Sequence, residues 1–253
     1  MSLVICHYII RRILLNLLNM FNRLKPIIRK ELAFFFHSPT AYVSLAVFVV
    51  IVNWLYFTNF FLVGQVNMRL FFQNIPLVYL FLIPALSMTS YAEEKRTKTI
   101  EILFTLPLTK LEIVLGKFAG GMLVVLLGLA LTATIPITLT ILGQPEWGPI
   151  ITGYLAAILL GTLYMSAGLL VSSNTDSQIV SFTITAGICF MLYITGAGFF
   201  LERLPSYLES IFRYVSALTH FESMAKGVVD LRDLVYFVSL SGLLIYFNVE
   251  RSK

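Results

Sequence analysis

Residues 91–118 read YAEEKRTKTIEILFTLPLTKLEIVLGKF and hold nine charged side chains: Glu93, Glu94, Lys95, Arg96, Lys98, Glu101, Lys110, Glu112 and Lys117. The runs that flank this stretch, 70–91 and 113–142, carry almost no charge apart from its own edges. The 253-residue chain repeats that contrast throughout, with 58% hydrophobic residues, 12% charged residues and a mean hydropathy of +0.87. Soluble domains carry charge on roughly a quarter of their residues. Six apolar runs stand out, at about 41–63, 70–91, 113–142, 150–172, 179–201 and 233–249. Each has the length that a helix rising about 1.5 Å per residue needs to cross about 30 Å of hydrocarbon. A transmembrane barrel would instead show alternating segments of about ten residues. The expected fold is an all-α membrane protein with six transmembrane helices.

Basic residues in the flanks set the expected orientation. Thirteen of the eighteen Lys and Arg residues lie before the first run, in the stretch after the second, or in the tail. With six spans these three segments share one side, so both termini and the charged hinge are expected in the cytoplasm of a bacterial inner membrane. The net charge of +5 is thus distributed by side and forms no nucleic-acid patch. Cys6 and Cys189 have no neighbours at metal-ligand or disulfide spacing. Residues 1–19 are read as an N-terminal extension, with Met20 as an alternative start and 20–253 as the transmembrane domain. This extension has neither the charge order nor the cleavage site of a signal peptide.

Local patterns give the parts around the spans. From Phe21 to His37, Leu24, Ile27, Ile28, Leu32 and Phe35 recur at helical spacing, with Arg29, Lys30 and Glu31 between them. Such a basic amphipathic helix lies in the headgroup plane. Pro39, Ser38 and Thr40 break it and start the next helix. Pro84 is expected to kink the second span, whose helix then continues through Phe104, with Glu94 and Lys98 paired at i, i+4. TLPLT turns the chain, and Thr109-Lys110-Leu111-Glu112 fits a capping box that starts the next helix. Ile100, Leu103 and Phe104 keep an apolar side in phase within the hinge, as a docking surface for a soluble partner would.

The stretch EEKRTKTIEILFTLPLTKLEIVLGKF resembles the signature region of ABC-2 type permease subunits, and IIRKELAFFFHSPTAYV resembles their N-terminal interfacial helix and first-span entry. The nearest resemblance is to gliding-motility-associated and nitrous-oxide-reductase-accessory permeases, over nearly the whole chain from Met20. Lys98 departs from the pattern, standing where the family often has Gly. The resemblance implies a homodimeric or pseudo-dimeric exporter permease, with a second copy or a sister permease beside it in the lipid. It also implies cytoplasmic ABC ATPase subunits that bind ATP and Mg, and no cofactor in this chain. Arg29, Lys30 and Glu31 would form the first ATPase contact, and Glu93, Glu94, Lys95, Arg96, Thr99 and Glu101 the second. Lys117 would sit at the cytoplasmic mouth of the third span. Short re-entrant helices are implied between spans five and six, where Leu208, Ile211, Phe212 and Val215 make an apolar stripe. Reversing the charges of Glu94 and Arg96 is expected to uncouple ATP turnover from transport and leave folding intact.

Other functions find less support. No G-x-x-x-x-G-K-[ST] occurs, the only Gly-Lys pair being Gly116-Lys117 before Phe118, so the chain is not expected to be an ATPase or any other enzyme. An ion-coupled carrier would place a titratable group in mid-span, whereas the in-span polar residues are neutral, among them Asn53, Gln73 and Thr185. A membrane-embedded enzyme would rest on His220, near Glu222 in the outer loop, with no H-E-x-x-H or G-x-S-x-G to support it. The pairs Gly116/Gly120 and Ala157/Gly161 permit close helix approach without specifying whose helix approaches.

Overall fold

The computed structural model describes residues 24–63, 68–96, 98, 109–143, 145–202 and 205–251. The expected N-terminal extension, the Met20 start, Thr99, Glu101 and the apolar side at Ile100, Leu103 and Phe104 lie outside these residues. Among the described residues there is no strand. The helices are α1 (24–37), α2 (Pro39–Val63), α3 (Arg69–Arg96), α4 (Lys110–Leu131), α5 (Thr134–Leu142), α6 (Trp147–Asn174), α7 (Gln178–Ile194), α8 (Gly198–Leu201), α9 (Ser206–Val215), α10 (Ala217–Ala225) and α11 (Leu231–Arg251). Five helical segments are long and apolar enough to cross a membrane: Pro39–Thr58, Arg69–Arg96, Lys110–Leu142, Trp147–Asn174 and Leu231–Arg251.

Two expected spans are interrupted. The third divides at Thr132-Ala133, where Ile135 N–H donates to the Thr132 carbonyl, a tighter i→i+3 bond. Pro136 explains the division, because a proline ring clashes with the carbonyl four residues earlier, here that of Thr132. The fifth stops at Ile194, leaving a 17-residue helix of about 26 Å. Beyond it the chain turns at Thr195-Gly196 and resumes as α8. A Cβ on Gly196 would stand 2.0 Å from Ser216 Oγ, so glycine is required where this turn passes α10. By contrast α3 runs unbroken through Pro76 and Pro84.

α3 and α6 form the centre of the bundle. α6 packs on α3, α4, α7, α10 and α11, whereas α2 and α11 expose most of their apolar surface. Gly168 of α6 lets it approach α3 closely, since a Cβ there would meet Ser87 Oγ at 2.2 Å. The two ends of the bundle are distinct. At the end where α3 and α6 begin, Met68, Arg69, Pro149, Ala225 and Lys226 line one cleft. At the other end α3 finishes and α4 starts; we call this the proximal end and the former the distal end. The short helices α8, α9 and α10 connect α7 to α11.

Candidate functional site: a buried charge network at the proximal end

The proximal site begins with two caps. Thr109 accepts from Glu112 N–H at 3.3 Å, and Glu112 Oε2 accepts from Thr109 N–H at 2.8 Å, the reciprocal capping box that the spacing implied. This fixes the start of α4 and puts Lys117 in its second turn. Just across, α3 ends at Arg96, and Lys98 takes φ +56°. A left-handed residue cannot continue a right-handed helix, so the helix expected through Phe104 stops here. The expected Glu94–Lys98 pair is lost with it. Lys98 adopts the conformation glycine prefers.

α1 lies against the start of α4. A Cβ on Gly116 would stand 2.4 Å from Ile27 Cγ2, and one on Gly120 2.6 Å from Glu31 Cβ. The G-x-x-x-G pair is therefore spent within the chain, on seating α1. Leu24, Ile27 and Phe35 of α1 are buried, as their spacing implied, but Glu31 shares their stripe and is 2% exposed. The sequence reading had set Glu31 among the polar residues. Its burial follows from Lys117, which is 0% exposed and lies beneath it.

Lys117 Nζ donates to Glu31 Oε1 at 2.9 Å and to the Ser90 carbonyl at 2.6 Å, and it stands 2.8 Å from Glu94 Oε2. The ammonium thus makes two hydrogen bonds and a further ion pair with Glu94. The Tyr91 ring covers the same nitrogen, its centroid 4.7 Å away. Lys30 Nζ meets the other Glu94 oxygen at 2.7 Å from the exposed side. Two lysines thus balance two glutamates, and the group is neutral as a whole. Burying one such ion alone costs several kcal/mol, so each partner makes the others tolerable. One arrangement locks α1, α3 and α4 together.

Lys95 and Glu93 face the α6–α7 connection. Lys95 Nζ donates to the Ser173 carbonyl at 2.8 Å and meets Asp176 Oδ1 at 3.2 Å. Glu93 takes Arg96 at 2.7 Å and also accepts from Gln178 of α7. Ser172 Oγ accepts from the backbone N–H groups of Tyr91 and Ala92 at 3.2 and 3.3 Å. Of the residues expected to meet an ATPase, Glu31 and Glu94 are therefore turned inward. Arg29, Lys30 and Arg96 are exposed on the outside of the same network. The expectation that reversing Glu94 leaves folding intact fails on this geometry, since reversal would set three positive charges around a buried site.

A separate apolar groove of about 550 Å³ lies between α2, α3 and α7, lined by Val47, Phe48, Leu77, Phe81, Ala85 and Phe182 among others. At the distal end His220 pairs with Asp233 rather than with Glu222. The sequence reading missed this pair because it took Asp233 as the start of the last span.

Helices of this length and polarity define a multi-pass membrane protein. Residues 59–245 match the family described as ABC-2 family transporter protein, and the chain belongs to that family. Its members are non-catalytic membrane permease components that generally work with a cytoplasmic ABC ATPase. No curated protein matches the chain.

Proposed function

We propose that this chain is the permease subunit of an ABC exporter in a bacterial inner membrane, with six spans and both termini cytoplasmic. The span added to the five long helices is the fifth in chain order, which begins with the 17-residue α7. A separate cytoplasmic ATPase, which binds ATP and Mg, docks on Arg29, Lys30 and Arg96 and on the segment that follows α3. The observation that carries this reading is the three-helix lock. Lys30 forms the exposed edge of a neutral tetrad whose other three members are buried, so a displacement of α1 or of the end of α3 is passed to α4 instead of being absorbed locally. Closure of the ATPase on ATP would then move the proximal ends of the spans as rigid elements. A second permease copy, or a sister permease, completes the translocation path, and the groove between α2, α3 and α7 is an apolar surface left open among the described residues.

The test is purification of the tagged full-length protein from native membranes in mild detergent, with mass spectrometry of what accompanies it. A stoichiometric P-loop ATPase, lost when Arg29 and Arg96 are both changed to Glu, is the expected result. Retention of that ATPase by the double variant would remove the proximal surface as its dock. Co-purification of no ATPase at all would overturn the permease reading.

A further inference from the structure

The distal end carries a second buried ion pair that the permease reading does not use. His220 of α10 places Nδ1 2.6 Å from Asp233 Oδ1 and Nε2 3.0 Å from the Tyr214 carbonyl oxygen. A carboxylate oxygen and a backbone carbonyl oxygen both accept hydrogen bonds and donate none. A neutral imidazole has a single N–H, so one of these two contacts would set a lone pair against a lone pair. Only the imidazolium satisfies both.

Three further features favour the cation. The Asp233 side chain is 7% exposed, its one ion-pair partner among the described residues is His220, and its Oδ2 has no hydrogen-bond partner there. A buried carboxylate needs a counter-charge. The Tyr236 ring stacks on the imidazole, with centroids 4.2 Å apart and planes 24° from parallel, which suits a cation over a π face. Tyr214 and Val215 end α9, where the backbone dipole is negative. The Val215 carbonyl accepts from the Tyr236 hydroxyl at 2.5 Å.

The other charged and titratable groups nearby are few. Arg232 of α11 lines the same pocket as His220 and Tyr236. Glu222 lies on α10 itself. Arg69 of α3 and Lys226 line the neighbouring cleft. Among these described groups Asp233 is the only carboxylate in contact with the ring.

We propose that His220 is a proton-operated latch: its imidazolium ties the end of α9 to the start of α11, and loss of the ring proton releases the α9–α10 hairpin from the last span. This does not rest on the identity of the ATPase or of the substrate. The test uses the full chain in lipid nanodiscs, with His7→Gln and His37→Gln, so that His220 is the only histidine. Its ring ¹⁵N shifts are followed from about pH 5 to 8, together with backbone hydrogen exchange of residues 206–225, corrected for the intrinsic effect of pH. Both ring nitrogens should be protonated at the acid end. Exchange should rise about tenfold with the same midpoint as the ring titration. His220→Arg, which keeps a planar cation at every pH, should hold exchange low throughout. Exchange that stays constant while the ring titrates would overturn the latch, and so would one neutral tautomer across the whole range.

Discussion

At the proximal end Lys117 meets Glu31, Glu94 and the Ser90 carbonyl; at the distal end His220 meets Asp233 and the Tyr214 carbonyl. Both arrangements bury charge where helices meet. They differ in what holds the charge in place. The lysine network shares its charge among four side chains and sits behind a tight glycine crossing. The histidine pair depends on a single ring proton. A rigid element that transmits force suits the first design, and a releasable one suits the second.

The comparison is put at greatest risk by Lys117→Met. Removing the ammonium leaves Glu31 and Glu94 buried and facing one another, and loss of one partner of a buried pair costs about 3–5 kcal/mol. Thermal unfolding of the purified protein in detergent should show that loss at pH 8, and less of it at pH 5, where the orphaned carboxylates can be neutralised by protonation. Adding Glu31→Gln and Glu94→Gln should restore much of the stability, because the orphaned charges are then gone. A mild effect from Lys117→Met alone would mean that the network is not what fastens α1 to α4.

Asp233→Asn is the matching test at the distal end. It keeps the shape and one acceptor but removes the counter-charge, and hydrogen bonds to charged groups contribute about 1.5–3 kcal/mol. The sign with pH follows from the ring proton. The imidazolium–carboxylate attraction is present at the acid end and lost as the imidazole deprotonates, so the cost of Asp233→Asn should shrink from pH 5 to pH 8. A cost that does not change with pH would show that the ring proton does not hold the distal pair together.

How much of this was legible in the sequence depends on the range of the interaction. Five of the six expected spans, the Thr109–Glu112 box and, within the stripe of Leu24, Ile27, Ile28, Leu32 and Phe35, the buried Leu24, Ile27 and Phe35 rest on local pattern and were read from it. The division at Thr132 has a local signal in Pro136 that the apolar length of the run concealed. Glu31 and Lys117 are 86 positions apart, and nothing near either residue says that both are buried. By helical spacing alone Glu94 belongs with Lys98. It pairs instead with Lys30 and Lys117, because a left-handed turn ends α3 and because α1 arrives from elsewhere in the chain. His220 likewise found its carboxylate thirteen residues away, across a turn, and not two residues along its own helix.

Gly120→Ala asks whether the proximal lock needs its close crossing. The added Cβ would stand 2.6 Å from Glu31 Cβ, so α1 must move outward and draw Glu31 from Lys117. Overpacking of this kind costs about 1–3 kcal/mol, and alanine, the smallest addition, should fall at the lower end. A cysteine pair between α1 and α4 would report the separation directly as slower disulfide formation. Wild-type rates in the alanine variant would show that the helix gives way without disturbing the charges.

The smallest effect is expected at Lys98, which borders the network without joining it. A side chain in the left-handed region costs about 1–2 kcal/mol, and Lys98 is held there at φ +56°. Glycine removes that cost but loses about 0.5–1 kcal/mol more to the unfolded chain's freedom. Lys98→Gly should therefore gain only about 0.5–1 kcal/mol, while Lys98→Val, branched at Cβ, should lose stability. Both changes should act on the last turn of α3, read as altered hydrogen exchange at residues 91–96, and should leave residues 206–225 as they were. If Lys98→Gly loosened the distal hairpin, the two ends would be coupled through α3, and the division of the molecule into a fixed end and a releasable one would have to be given up.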